Sequence, residues 1–509
     1  MVIHLILDRE DYENDIYPLI KAFYPGEEVK VHRHNSNMEI TRESLAIMVV
    51  IEDSYLCVAA VKDEKQLYKE EEHISTKELE KEEELNAMKE QELLLQKKKQ
   101  IRNLLKRTVY RCLRGLTGEE LPWGTLTGIR PTKIVLEKLE AGEEREAIRR
   151  FMLEEYYCSV RKADLSLMVA GREHELLKEM DYRNGYSIYI GIPFCPSTCL
   201  YCSFTSYSIE RYGHMSEPYL EALMKEIKYA STVFNNKKLT TVYIGGGTPT
   251  TLNEVQLDKL LTYIDTYLKP GLAMEYTVEA GRPDSITEGK LRILKEHGVN
   301  RISINPQSMQ QRTLDLIGRK HTVNQIEEAF ALARKTGHEN INMDIIIGLP
   351  GERKNDVANT LEQIEKLNPD SLTVHALALK RAARLNTEKV EYESADVEEA
   401  GSMAELTEEY AHSKEYQPYY LYRQKNMAGN LENTGYARKG KEGLYNVLIM
   451  EEKQTIIALG AGGQSKFVFH DENRIERVEN VKSLKDYVER IDEMIERKIK
   501  FLTENEHLL

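Results

Sequence analysis

Ile190-Gly191-Ile192-Pro193-Phe194-Cys195-Pro196-Ser197-Thr198-Cys199-Leu200-Tyr201-Cys202 gathers three of the protein's six cysteines into eight residues. The C-x3-C-x2-C spacing is too tight for one strand or helix to present all three thiols, yet it suits a loop wrapped around one corner of a cubane. Three thiolates are one short of the four that normally close an iron–sulfur cluster, which leaves one iron open to N or O donors. Two other readings compete. Cysteines also serve as small buried packing groups, and zinc binds thiolates. Structural zinc sites, however, want four ligands in paired knuckles, and no second Cys/His pair of that spacing follows.

Outward from this loop, the chain after Tyr186 alternates apolar strand and amphipathic helix. Strands are predicted at 187–192, 241–245, 275–279, 301–305, 342–347 and 371–375, with helices at 217–234, 253–267, 288–297, 322–335 and 353–367. Single helices between strands imply parallel pairing with right-handed crossovers. Six such units predict a partial (β/α)6 barrel, whose functional groups sit at the C-terminal strand ends. Gly245-Gly246-Gly247-Thr248-Pro249 closes the second strand, and successive glycines let backbone approach a ligand without Cβ interference. Glu279 ends the third strand, Gln307 follows the fourth, Arg319 follows in Gly318-Arg319-Lys320-His321, and Asp344 lies inside the apolar fifth strand. An unpaired buried carboxylate is costly. Asp344 is therefore expected to meet a ligand hydroxyl or Arg319, or to form a structural ion pair.

The cysteine spacing, Tyr201 before the last Cys and the preceding Tyr189-Ile190-Gly191-Ile192-Pro193-Phe194 run resemble the radical S-adenosylmethionine (SAM) superfamily. Within it they resemble the oxygen-independent coproporphyrinogen III oxidase-like branch, most closely the HemZ-type coproporphyrinogen dehydrogenases. The resemblance covers about 186–465. It implies a [4Fe–4S] cluster on Cys195, Cys199 and Cys202. It also implies SAM held by Gly245–Pro249 (Gly245, Gly246, Gly247, Thr248 and Pro249), Glu279, Gln307, Arg319 and Asp344, with Tyr189 as the aromatic near the SAM methyl group. The implied reaction is oxidative decarboxylation of two coproporphyrinogen III propionates to vinyls, giving protoporphyrinogen IX. The implied partners are a porphyrinogen substrate and a reduced flavodoxin- or ferredoxin-type electron donor.

One position departs from that pattern: the described oxidases carry a fourth Cys where this chain has Phe204. Heme chaperones and other tetrapyrrole-modifying members, or a regulatory cluster protein, therefore stay open as alternatives. Because a porphyrinogen is an anion, cations from the basic clusters are expected to hold it. Lys380 and Arg423 are the candidates, since both follow the barrel strands.

The 509-residue chain as a whole sets bounds. A net charge of −14 argues against nucleic acid as the main partner. No apolar run reaches the roughly 18 residues of a membrane span, and scattered Cys57, Cys112 and Cys158 suit a reducing cytoplasm better than a disulfide framework. Domains are expected at 1–68 (a small α/β module with strands at 2–7 and 29–34 and a hairpin over 44–61), 69–185 (a helical extension), 186–385 (the barrel) and 386–509 (an α+β region covering the substrate). From Lys69 to Thr108 half the residues are charged, which predicts a helix. The Leu121–Lys133 run is expected to be a Pro/Gly loop, holding either an anion or Trp123 as a packing anchor. A closing helix is expected at 483–502.

Overall fold

The computed structural model describes residues 1–33, 44–52, 54–74, 87–128, 130–234, 236–378, 397–423 and 431–505. The chain divides into two units, Met1–Pro131 with Ala141–Leu167, and Thr132–Glu140 with Met168–Leu509.

The first unit is built on β1 (Val2–Leu7), β2 (Glu28–Arg33), β3 (Leu45–Ile51), β4 (Tyr55–Lys62) and β5 (Lys65–His73), in the order β2-β1-β3-β4-β5. β1 runs parallel to β2 and β3, whereas β3, β4 and β5 form antiparallel hairpins. Helices Glu13–Phe23 and Ala87–Thr117 contribute Ile16, Leu19, Ile20, Leu105 and Val109 to one core with Ile3, Leu5, Ile47 and Val58. The charged stretch from Lys69 is not helical at its start. It extends the sheet through His73, because strand alternation gives the run two distinct faces. Glu70 and Glu72 share one face and both pair with Arg111 of the long helix, Glu70 at 3.1 Å, while Glu71 on the other face meets Lys69 and Tyr55. Trp123 is fully buried, the packing role. Gly124 beside it has φ 54°, and a Cβ there would overlap the Tyr156 carbonyl.

The second unit carries β6 (Gly185–Ile192), the short β7 (Phe194–Cys195) and β8 (Tyr207–Ser208), β9 (Lys238–Gly246), β10 (Glu275–Glu279), β11 (Arg301–Ser303), β12 (Ile341–Ile347) and β13 (Ser371–Ala376). β6, β9, β10, β11, β12 and β13 are neighbours in that order and all parallel, the partial barrel expected. The connecting helices are Ser216–Val233, Glu254–Leu268, Glu288–Glu296, Val323–Lys335 and Lys354–Leu367. Asn253 and Thr322 cap the second and fourth of these through capping boxes. On the β13 side the sheet continues antiparallel through β15 (Asn433–Ala437) to β14 (Gln417–Tyr422). On the other side, β16 (Thr455–Leu459) lies parallel to β6 and leads to antiparallel β17 (Gln464–Phe469) and β18 (Arg474–Glu479). One eleven-stranded sheet thus runs through both segments expected as separate on either side of residue 385. The closing helix is two, Leu484–Glu489 and Ile491–Glu504, separated at Arg490.

Residues alternate across each strand. Ile188, Ile190, Val242, Ile244, Val278, Ile302, Met343, Leu372 and Val374 belong to the apolar core shared with the helices. The intervening positions are Tyr189, Tyr243, Glu279, Arg301, Ser303, Asn342, Asp344, Thr373 and His375, and they line a cavity of about 620 Å³. The hydrophobic effect fixes one face of the sheet and leaves the other free for chemistry.

Candidate active site

The cysteine loop leaves β6, and Cys195, Cys199 and Cys202 all line the cavity. Backbone bonds hold the loop: Tyr207 N–H donates to the Pro193 carbonyl at 2.8 Å and Leu200 N–H to that of Ile317 at 3.0 Å. Among the described residues, no group of three or more His, Cys, Asp or Glu closes on a single ion-sized point. Burial pushes the Cys195 thiol up and the Cys202 thiol to about 11. Burial acts the same way on Cys199, but the Arg319 and Arg282 guanidinium groups outweigh it and hold that thiol below its ordinary value.

The glycine motif packs directly on this loop. Gly247 N–H donates to the Ile192 carbonyl at 2.8 Å and Thr248 N–H to that of Phe194 at 2.7 Å, while Thr248 Oγ1 lies 3.6 Å from Cys195 Sγ. These two amide hydrogens are committed to the loop. Gly246 has φ 112°, and a Cβ there would stand 3.1 Å from Ile192 N and 3.3 Å from the Tyr189 hydroxyl. At Gly247 a Cβ would stand 2.5 Å from the Phe194 carbonyl oxygen and 3.0 Å from Cys195 Sγ. Adjacent substitutions should therefore fail differently. Gly247→Val should displace Cys195 and lower bound iron by roughly half or more. Gly246→Val should keep the iron and lose ligand affinity at least ~10-fold, the equivalent of one lost contact of about 1.4 kcal/mol. Iron assay and equilibrium dialysis check the pair, and identical phenotypes would refute this division of labour.

Glu279 accepts from the Tyr243 hydroxyl at 2.6 Å, and burial raises its carboxyl to about 7. Gln307 is buried at φ 68°, a left-handed backbone that Gln rarely adopts. Its N–H donates to the Asp344 carbonyl and its own carbonyl accepts from Ile346, both at 2.9 Å, so flanking β12 holds the strain. Of the partners expected for Asp344, the structure gives a pairing with His375 at 3.8 Å, beside a bond from Asn342 Nδ2 at 2.6 Å, and not Arg319. Arg319 instead donates to the carbonyls of Asn305 and Pro306.

Of the other expected residues, Tyr189, Gly246, Gly247 and Thr248 line the cavity; Gly245 and Pro249 do not. Gly245 stands behind Glu279, where a Cβ would come within 2.9 Å of its carboxyl carbon, and Pro249 opens a buried 3-10 turn. Arg423 is buried just past β14 and does not line the cavity. Lys380 lies outside the described residues. Among the described residues, the cations that line the cavity are Arg282, Arg301, Arg319 and Lys466, none of them an expected substrate clamp. Helix Leu444–Glu451 was also missed. Its first two N–H groups donate to the Glu275 carboxylate of β10, which sets Tyr445 against Tyr243 with ring centroids 4.4 Å apart.

Ser303 Oγ, Asn305 Oδ1, Gln307 Oε1, Arg319 Nε and Asn433 Nδ2 are buried, find no partner among the described residues, and belong to residues lining this one cavity. Each such group costs about 1–3 kcal/mol unless something pairs with it. Their concentration beside three thiols fits a polar ligand bearing hydroxyl, amino and carboxylate groups, which are the groups SAM offers, next to a thiolate-held cluster.

Comparison with known proteins agrees with this arrangement. The family model described as Radical SAM superfamily matches residues 189–364. The oxygen-independent coproporphyrinogen-III oxidase-like protein HemZ of Bacillus subtilis is 42% identical over 409 residues, 79% of this chain and 81% of that protein. Heme chaperone HemW of the same organism is 38% identical over 195 residues, 38% of this chain and 51% of HemW. The structure of coproporphyrinogen III oxidase HemN from Escherichia coli superimposes with a TM-score of 0.51 at 23% identity, over 64% of this chain and 73% of that one, a likeness of fold. The chain belongs to the radical SAM superfamily, whose members imply a [4Fe–4S] cluster and SAM, and within it to the family of the coproporphyrinogen-III oxidase-like protein HemZ.

Proposed function

We propose that the protein is an enzyme that oxidatively decarboxylates the propionates of coproporphyrinogen III, working in the cytoplasm with a flavodoxin- or ferredoxin-type reductant. The observation that carries this reading is one cavity in which three thiols share walls with four cationic side chains and with Tyr189, Tyr243, Tyr420, Tyr422 and Tyr445. When bound at the thiols and at Glu279, Gln307, Arg319 and Asp344, the cluster and SAM would supply one-electron, hydrogen-abstracting chemistry. The chain's own residues orient and exclude. Arg319 offers an unpartnered Nε to a ligand carboxylate, Glu279 faces a ligand cation or hydroxyl, and the tyrosines give a tetrapyrrole flat apolar faces while keeping out water. No helix among the described residues is long and apolar enough to cross a membrane.

A second reading, a heme-binding chaperone, is favoured by Phe204, which is exposed at the cavity wall where the oxidases carry a fourth Cys, and by the likeness to HemW. Anaerobic incubation with SAM, reductant and coproporphyrinogen III, with porphyrins separated by chromatography, discriminates. Two successive losses of carbon dioxide support the enzyme. Tight heme binding without turnover by a cluster-loaded protein supports the chaperone.

Glu279 yields a pH test of the cofactor pocket. Burial raises its carboxyl, so the folded state holds a proton that the unfolded chain has released, and folding stability falls as pH climbs from the ordinary carboxylate range to about 7. A cationic ligand would reverse that raise and expel the proton. Binding of SAM at pH 6.5 should release up to about three-quarters of a proton per site. This should appear as buffer-dependent heat in calorimetry, and Glu279→Gln should abolish it. Buffer-independent heat in the parent protein would remove Glu279 from the ligand.

A further inference from the structure

Arg282 sits just past β10 in Gly281-Arg282-Pro283-Asp284, 3% exposed. Its guanidinium spends one edge on Asp284, with Nε to Oδ1 at 2.9 Å and Nη2 to Oδ2 at 2.6 Å. The remaining nitrogen, Nη1, turns to the cysteine loop, 3.3 Å from the Ser197 carbonyl and 3.7 Å from Cys199 Sγ. An ordinary surface arginine would keep its head in water. This one is buried, fixed by a bidentate partner, and aimed at a sulfur.

A fixed positive charge beside a cluster thiolate favours the state with the extra electron, since net charge and hydrogen bonds to the sulfurs set cluster potentials. We infer that Arg282 is a positioning residue that raises the reduction potential of the cluster held by the cysteine loop, with Asp284 setting how much of its charge the sulfur sees. The inference rests on the cluster reading above. Arg319 also lies against Cys199 but keeps an Nε for the ligand, whereas Arg282 is tied to Asp284 by its other two nitrogens and has only the cysteine loop left to face.

The test is a redox titration followed by electron paramagnetic resonance on anaerobically reconstituted full-length protein, with iron and sulfide assayed in parallel. Arg282→Met should move the midpoint to more negative values, lowering the reduced-to-oxidised ratio at a fixed donor potential about tenfold, or 59 mV for a one-electron couple. Asp284→Asn keeps the arginine and removes the opposing charge, so it should move the midpoint the other way. Arg282→Lys, which keeps the charge without the fork, should recover part of the loss. A purely structural role would push Arg282→Met and Asp284→Asn in the same direction. Shifts of the same sign, or an unmoved midpoint in a fully loaded Arg282→Met protein, overturn the inference. If Arg282→Met does not hold a cluster, the sign of the Asp284→Asn shift decides alone. A parent protein that never takes up iron overturns the cluster reading instead.

Discussion

Cys195→Ala, Cys199→Ala and Cys202→Ala should each strip the reconstituted protein of iron and sulfide, while Cys57→Ala, Cys112→Ala and Cys158→Ala should each leave about four irons per chain. The six thiols are chemically alike, and their surroundings separate them. Cys112 is buried in the core of the first unit, Cys57 lies half-buried on β4, and Cys158 Sγ stands 3.5 Å from the Trp123 carbonyl. Each is a small packing group whose loss costs on the order of 1 kcal/mol. The cavity three sit on a loop bound to Gly247 and Arg282. Losing one ligand there forfeits a share of a metal-binding free energy on the order of 10 kcal/mol, so no partial loss of iron is expected. Stoichiometric zinc with no iron uptake in the parent protein would count against the whole reading.

The barrel was legible because its strands declare themselves by apolar residues at alternate positions, such as Ile188 and Ile190 or Val242 and Ile244, and the parallel order followed from single intervening helices. The same alternation contained the site: Ser303, Asn342 and His375 are polar at every second position of strands otherwise apolar. Reading the two faces separately would have found them. What stayed hidden depends on distance in sequence. No local pattern tells that Glu275 caps a helix starting at Leu444, and so Tyr445 could not be placed beside Tyr243. Arg282 carries no local signal either, because its partner Ser197 lies 85 residues away in sequence. At Lys69–His73 charge density masked a period of two, and helix propensity lost to the pairing of Glu70 and Glu72 with Arg111.

A second large effect is expected far from the thiols. Glu226, on helix Ser216–Val233, is 0% exposed, and Lys498, on helix Ile491–Glu504, is 1% exposed, with their charges 2.7 Å apart. The carboxylate also accepts from Gly460 N–H at 2.8 Å, Asn480 Nδ2 at 2.8 Å and the Tyr487 hydroxyl at 2.6 Å. One side chain thus ties four C-terminal segments to the first barrel helix, including the Gly460–Gly463 turn whose Gly462 and Gly463 line the cavity. Glu226→Ala would leave Lys498 with only Asn480 Oδ1, at 2.6 Å, and would take the carboxylate from Gly460 N–H and the Tyr487 hydroxyl, while Asn480 Nδ2 keeps the Gly460 carbonyl at 2.9 Å. Breaking a buried pair costs about 3–5 kcal/mol, and the alanine variant belongs at the upper end. Lys498→Met leaves the carboxylate three donors and belongs at the lower end. Glu226→Gln with Lys498→Met removes both charges, keeps an acceptor for Gly460 and Tyr487, and should recover most of the loss. The exposed Lys485–Glu489 pair, at 3.7 Å, is the control, since Lys485→Ala should shift stability by less than about 0.5 kcal/mol. Denaturant midpoints by far-ultraviolet circular dichroism rank the four variants. A Glu226→Ala protein that unfolds with the parent would show that the carboxylate does not hold the turn in place.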